Sequence, residues 1–198
     1  LPYLQLLAEQ RPRSEVLLGK PFPVAAAAHF LAHPPRSGFD PVRQVQWLVD
    51  TPARLAQYRD LARARRQVLR INLEIDVGLH RGGLPDGAAL REVIALLQGE
   101  PWLQWSGFMG YEAHTEKIPD LGGLRTASRA QVQQRYRACL DTMQASPLAR
   151  DPALLTLNTG GSPTYRLHHA GGAANEVAVG SALAKPSDFD TPLLADLQ

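Results

Sequence analysis

The residues best suited to chemistry lie in the run Ile71-Asn72-Leu73-Glu74-Ile75-Asp76-Val77-Gly78-Leu79-His80-Arg81-Gly82-Gly83. Read as a β-strand, its period of two puts Ile71, Leu73, Ile75 and Val77 on one face and Asn72, Glu74 and Asp76 on the other. Three polar side chains on one face of an interior strand are costly unless they are hydrogen-bonded or look into a wet pocket. The plainer alternative is an edge strand with a solvated face, and the apolar flanks of the run argue against it. The glycines that follow allow a tight turn returning Arg81 towards the strand end. A second group is Asn158-Thr159-Gly160-Gly161-Ser162-Pro163-Thr164-Tyr165, which follows an apolar run. Backbone N–H groups and the Ser162 and Thr164 hydroxyls can there approach an anion such as a phosphate, although a glycine-rich turn alone is a weak indication. Val179-Gly180-Ser181 closes the next apolar run and offers a second contact of the same kind. No Walker loop and no GxGxxG run occurs, so nucleotide-binding folds are disfavoured.

These groups need elements to hold them. Glu15 to Gly19 reads as a strand ended by Lys20-Pro21, and Gln44 to Val49 as a second, rich in strand formers. Asp50-Thr51-Pro52 marks a helix start, and that helix runs to about Arg66. Val68 to Val77 is the third strand, Asp86 to Gln98 a helix, and Trp102 to Met109 the fourth strand. Leu124 to about Ala145 is the longest helix, and Leu154 to Asn158 and Glu176 to Ser181 are the last two strands. His33 to Pro41 and Glu112 to Gly123, punctuated by proline and glycine, read as loops. Strands alternating with helices specify βαβ units and a parallel sheet. In a parallel α/β barrel the loops after the strands build the active site. Six strands are two short of closure, so the expected fold class is α/β, a TIM-type (β/α)8 barrel with strands 3 to 8 present. The chain opens at Leu1 without methionine and inside an apolar pattern, and stops at Gln198 in another. We therefore expect residues 1–198 to be one barrel domain taken from a longer protein.

The 198 residues are 44% hydrophobic and 20% charged, enough for a well-filled core. Lys and Arg number 21 against 19 Asp and Glu, a net charge of +2 that argues against a nucleic-acid surface. All the basic residues except Lys20, Lys117 and Lys185 are arginines, scattered along the chain. One cysteine, Cys139, cannot close an internal disulfide, which fits a cytoplasmic, reducing setting. No apolar run reaches the roughly 20 residues that cross a bilayer, so no membrane is expected as a partner.

The stretch EIDVGLHRGG resembles the strand-plus-arginine motif of the fold-type III pyridoxal-phosphate enzymes, the alanine racemase and D-threonine aldolase superfamily. Within it the chain is most similar to the D-threonine aldolase or D-serine dehydratase-like branch. Leu17 to Pro21, Trp47 to Thr51, Gly107 to Tyr111, Asn158 to Tyr165, and Glu176 to Leu183 with Lys185 to Asp190 agree in the same order. The resemblance covers nearly the whole chain. It implies pyridoxal 5'-phosphate as cofactor, with Arg81 on the phenolic oxygen of its ring. Tyr111 falls where the racemases carry a histidine against the ring face, and His114, in the following loop, is a candidate acid/base beside Tyr111. Asn158, Gly161, Ser162 and Thr164 fall on one phosphate-side contact, and Gly180 and Ser181 on the second. Asn72, Glu74 and Asp76 are expected to line the lumen below.

The chain departs from the family pattern in several places. The Schiff-base lysine belongs to the family's first strand, upstream of Leu1; Lys20 is the internal candidate, and motif order argues against it. Ala178 stands where racemases place an arginine opposite the pyridine nitrogen, and Glu74 where they carry a lysine, which both point away from a racemase. The family's C-terminal β domain, which supplies a tyrosine base or a divalent-metal site, would follow this segment. The implied activity is that of a lyase or racemase acting through an aldimine on a D-amino acid or β-hydroxy-amino acid. The resemblance implies a small amino acid as partner and leaves room for a homodimer when full length, and the isolated chain is expected to be inactive. The alternatives are a non-catalytic pyridoxal-phosphate homeostasis barrel, against which a following β domain would favour the enzyme, and a barrel for another phosphorylated ligand. His29 and His33 read as a helix-end pair, His168 and His169 as loop decoration, and Cys139 as a small buried apolar residue.

Overall fold

A computed structural model describes residues 2–168, 172–184 and 192–194. His169 and residues 185–190, noted above, lie outside the described residues. Six strands, β1 (Val16–Leu17), β2 (Val45–Val49), β3 (Leu69–Ile75), β4 (Leu103–Gly110), β5 (Thr156–Thr159) and β6 (Glu176–Val177), follow chain order in one sheet. Helix α1 (Pro2–Gln10) precedes β1, and between the strands run α2 (Val24–Ala32), α3 (Pro41–Gln44), α4 (Pro52–Arg65), α5 (Gly87–Leu97) and α6 (Leu124–Gln144). The pairs β1–β2, β2–β3, β4–β5 and β5–β6 are parallel. The fold is α/β, as the alternation of patterns requires, and β3 lies between β2 and β4 rather than at an edge.

The chain divides into two compact units, Leu1–Leu73 with Ala88–Ser106, and Glu74–Gly87 with Gly107–Gln198. In the first, every residue of β2 (Val-Gln-Trp-Leu-Val) is buried, as befits a strand covered on both faces. Helix α4 starts where Thr51 caps the Arg54 N–H at 3.2 Å with Pro52 in the first turn. It ends at Arg66, in the left-handed region at φ 50°. Its Tyr58 packs 5.7 Å from the Trp47 ring, and Phe30 of α2 lies 6.3 Å from the same ring. Helix α5 buries Leu90, Val93, Ile94 and Leu97, the i, i+3, i+4, i+7 stripe of an amphipathic helix. Asn72 and Gln46, both buried, are joined by a 3.2 Å hydrogen bond from Asn72 Nδ2.

In the second unit, α6 buries Val132, Tyr136 and Met143. The Tyr136 hydroxyl donates at 3.3 and 3.2 Å to the Phe108 and Asn158 carbonyls, fixing the helix on the ends of β4 and β5. Two helices carry no local start signal in the sequence. Helix α2 is alanine-rich and begins after Pro23 with no side-chain cap, and α1 has no acidic first turn. The segment expected as a loop up to Pro41 ends in α3, because Asp40 caps the Val42 N–H at 2.9 Å. The last strand stops at Val177 instead of Ser181, since residues 181–184 coil into a 3-10 turn.

Candidate functional site

Arg81 reaches its place through a closed loop. The Asp76 carboxylate accepts the Gly78 and His80 N–H groups at 2.9 and 3.0 Å and lies 2.6 Å from His80 Nδ1. His80 itself adopts a positive φ of 55°. Leu84 then rejoins β3, donating to the Glu74 carbonyl at 2.8 Å and accepting from the Asp76 N–H at 3.0 Å. The loop carries Arg81 back over the strand, so that its Nη2 donates to Glu74 Oε1 at 3.1 Å. Glu74 is buried, while the Arg81 side chain is 37% exposed. That guanidinium lies 4.5 Å from the centroid of the Tyr111 ring, a cation–π stack. Glu74, Asp76, Arg81, Gly82 and Tyr111 line one recess.

The small-residue turn meets the same tyrosine. A Cβ at Gly161 would fall 2.2 Å from Tyr111 Cε2, so only glycine lets the turn close on the ring. Thr164 is fully buried, and its hydroxyl accepts the Gly161 N–H at 3.0 Å, shaping the turn from within. The Ser162 Oγ accepts the Gly180 and Ala182 N–H groups, both at 3.0 Å, and lies 3.4 Å from Ser181 Oγ. Two backbone donors thus converge on one oxygen, the arrangement an anionic oxygen accepts. Asn158 is buried on β5 and donates from Nδ2 to Glu176 Oε1 at 2.7 Å, while its Oδ1 finds no partner among the described residues. Arg81, Tyr111, Gly161, Ser162, Gly180 and Ser181 are therefore linked in one chain of contacts. Of the polar strand face, Glu74 and Asp76 line this recess, whereas Asn72 bonds to Gln46.

Sequence patterns leave Glu112 inside a loop without a role, and the structure gives it a central place. It is 3% exposed. Its Oε2 accepts the Thr159 hydroxyl at 3.1 Å and the Gly160 N–H at 3.0 Å, and its Oε1 lies 2.6 Å from His168 Nε2. Burial alone would raise its pKa, but the His168 hydrogen bond and charge and the Gly160 N–H outweigh that and hold it below the usual carboxylate range. The available signal is an acidic residue next to the candidate ring-stacking tyrosine, with no partner within helical reach. His168, expected to decorate a loop, is the other half of this pair.

His114 is not among the residues lining the Arg81–Tyr111 recess. It lines a separate groove of about 670 Å³ with Gly78, His80, Ile118, Leu124 and Arg135. Its Nδ1 is buried and finds no partner among the described residues. Burial lowers its pKa, more than the nearby Glu112 and Asp76 charges raise it. Asp76 is also held low: burial opposes this, and the Gly78 and His80 contacts prevail. All three shifts have the same sign for stability. A depressed folded pKa contributes stability above the unfolded value and loses it as pH falls through the folded one. Unfolding free energy from urea titrations should therefore decline in two stages, first below about pH 6.5 and again below about pH 4. His114→Asn should remove the upper stage and leave the lower.

The remaining candidates fall apart from the recess. Lys20 is exposed beyond β1, and Lys117 is exposed in a 3-10 turn. His29 and His33 stack at 4.4 Å at the end of α2. Burial pushes the half-buried Cys139 thiol up to about 11, so it stays protonated. No group of His, Cys, Asp and Glu among the described residues is arranged to hold a metal, and no described helix is long and apolar enough to cross a membrane.

The profile of the family described as alanine racemase, N-terminal domain, matches residues 22–188. Among solved structures, D-threonine aldolase from Filomicrobium marinum superposes with a TM-score of 0.71 at 20% identity, over 91% of this chain and 47% of its own. Alanine racemase from E. faecalis gives 0.68 at 16% identity, over 96% and 46%. Alanine racemase from Bartonella henselae, with covalently bound pyridoxal phosphate, gives 0.65 at 14% identity, over 96% and 45%. The chain thus spans a little under half the length of these structures. These likenesses identify the fold as part of a TIM-type barrel. No curated protein sequence matches.

Proposed function

The chain belongs to the alanine racemase N-terminal domain family, and from that premise we propose that its second unit binds pyridoxal 5'-phosphate for a reaction at Cα of an amino acid. The observation that carries this reading is the contact chain from Arg81 through Tyr111 and Gly161 to Ser162, Gly180 and Ala182. It offers a cation, a flat aromatic face and a pair of converging N–H donors. Those are the three things a phenolate oxygen, a pyridine ring and a phosphate require. The buried Asn158 Oδ1, with no partner among the described residues, fits a site that takes a polar guest.

The roles divide by chemistry. When bound, the cofactor supplies an electron sink for negative charge at Cα of an attached amino acid. Arg81, steadied by Glu74, would donate to the phenolic oxygen and keep it anionic. Tyr111 would stack on the ring, and the Gly180 and Ala182 N–H groups would pass from the Ser162 hydroxyl to a phosphate oxygen, Ser162 turning to donate alongside them. Thr164 holds the turn, and Glu74 and Asp76 line the recess. Ala178 brings no charge towards the site, which favours a lyase of the aldolase or dehydratase type over a racemase. A D-amino acid or β-hydroxy-amino acid is the substrate class in this reading, and a small amino acid is the partner. His114, in its own groove, is not required for cofactor binding.

Titration calorimetry of the chain with pyridoxal 5'-phosphate and with pyridoxal tests the proposal. The phosphorylated compound should bind more tightly. Arg81→Met should weaken both by about tenfold, since it removes one charge-assisted hydrogen bond to the shared ring oxygen. Equal, weak binding of both compounds by the unaltered chain would overturn the reading.

A further inference from the structure

Turn 160–164 is shaped by groups outside it as well as within. Glu112 follows the ring-stacking Tyr111 directly, yet it lines a different cavity, of about 340 Å³, with Thr115, Arg129, Val132 and His168. From there one buried carboxylate reaches both ends of the segment bearing the turn. It takes the Thr159 hydroxyl and the Gly160 N–H at the start, and His168 at the finish. The contact at the neck is close. Gly160 sits at φ 73°, and a Cβ there would lie 3.1 Å from the His168 ring, so the imidazole stands directly against the backbone at the neck of the turn. The neighbouring cation does not compete for the charge. Arg129 is already engaged with Glu116, donating to both its oxygens at 2.7 to 2.9 Å. Glu112 therefore has His168, 2.6 Å from its Oε1, as its side-chain partner at the far end of the segment. A carboxylate in such surroundings makes strong, short, directional bonds, and removing its charge disturbs every donor aimed at it.

We propose that Glu112 is a positioning residue for phosphate recognition: with His168 it clamps the two ends of the segment 159–168, so that Ser162 gathers the Gly180 and Ala182 N–H groups. This rests on the cofactor reading above and adds a residue that touches neither ring nor phosphate. The clamp acts on one end of the ligand only. Arg81 and its Glu74 partner hold the ring end through bonds that do not involve Glu112. Loosening the clamp must therefore cost phosphate affinity selectively.

The test compares affinities for pyridoxal 5'-phosphate and pyridoxal in folded variants, with folding checked by circular dichroism. In Glu112→Gln the preference for the phosphorylated compound should shrink by about tenfold or more, while pyridoxal affinity stays within about twofold, because a displaced recognition loop loses oriented contacts. His168→Gln should shrink the preference in the same direction, and it decides the matter if Glu112→Gln does not fold. Arg129→Gln, which breaks the neighbouring ion pair but not the clamp, should leave the preference intact. A full preference in either folded clamp variant overturns the proposal, as does an equal loss in Arg129→Gln. Absence of any preference in the unaltered chain is a different failure, since it removes the cofactor reading itself.

Discussion

Gly83→Ala is expected to lower stability by about 3 to 5 kcal/mol, enough to unfold the second unit of a marginally stable domain at ambient temperature. Two causes add. Gly83 sits at φ 94°, where an L side chain is strained. The new Cβ would also stand 2.8 Å from the Ile75 carbonyl carbon, 2.9 Å from the Asp76 nitrogen and 3.1 Å from the Glu74 carbonyl carbon. These are backbone atoms of β3 and its end, and no rotamer change can move them aside. The Leu84 bonds to Glu74 and Asp76 would have to break, and with them the return of Arg81. Gly38→Ala separates the two causes, because Gly38 has φ 86° but a Cβ there would meet nothing within 4 Å. It should cost only about 1 kcal/mol. Urea denaturation of both variants measures the difference, and near-equal values would show that the overlap at Gly83 is harmless.

Gly161→Ala should have the opposite profile, with a modest stability change and a large loss of ligand. The backbone at Gly161 is not in the left-handed region, so alanine brings no conformational strain there. The whole effect comes from the 2.2 Å overlap with Tyr111 Cε2, together with 3.1 and 3.2 Å approaches to Cδ2 and Cζ. An aromatic ring can swing where a backbone cannot, so stability should fall by only about 1 to 2 kcal/mol. The swing takes Tyr111 from beneath the Arg81 guanidinium and out of the ring-stacking position. Affinity for pyridoxal 5'-phosphate should drop about a hundredfold, the scale of loss when a recognition group is displaced by an ångström. Tyr111→Ala in the Gly161→Ala background supplies the check. If displacement of the ring is the cause, the double variant binds no worse than Tyr111→Ala alone, a strongly non-additive cycle. Additive losses would place the cause elsewhere in the turn.

The strand framework was legible because its signals are local. The alternation from Ile71 to Val77, the Thr51-Pro52 helix start and the Leu90–Leu97 stripe each follow from backbone periodicity within a few residues. The shortened sixth strand has a local reason too: the chain beyond it coils at 181–184. The candidate site was legible in part. Arg81, Tyr111 and the small-residue turn were singled out by their residue types and by resemblance to a family, not by any spacing that says they touch.

Periodicity, breakers and composition thus determined by themselves that this is an α/β chain with a polar strand face, an arginine returned by glycines and a turn made for close approach. Tertiary structure alone decided which of these groups meet. It turned the Thr164 hydroxyl inward, gave Ser162 to the Gly180 and Ala182 amides, put His114 in a separate groove and tied Glu112 to residues 47, 48 and 56 positions away. The physical reason is that a buried polar group must find partners wherever the folded loops bring them. Contacts across such distances along the chain leave no period to read.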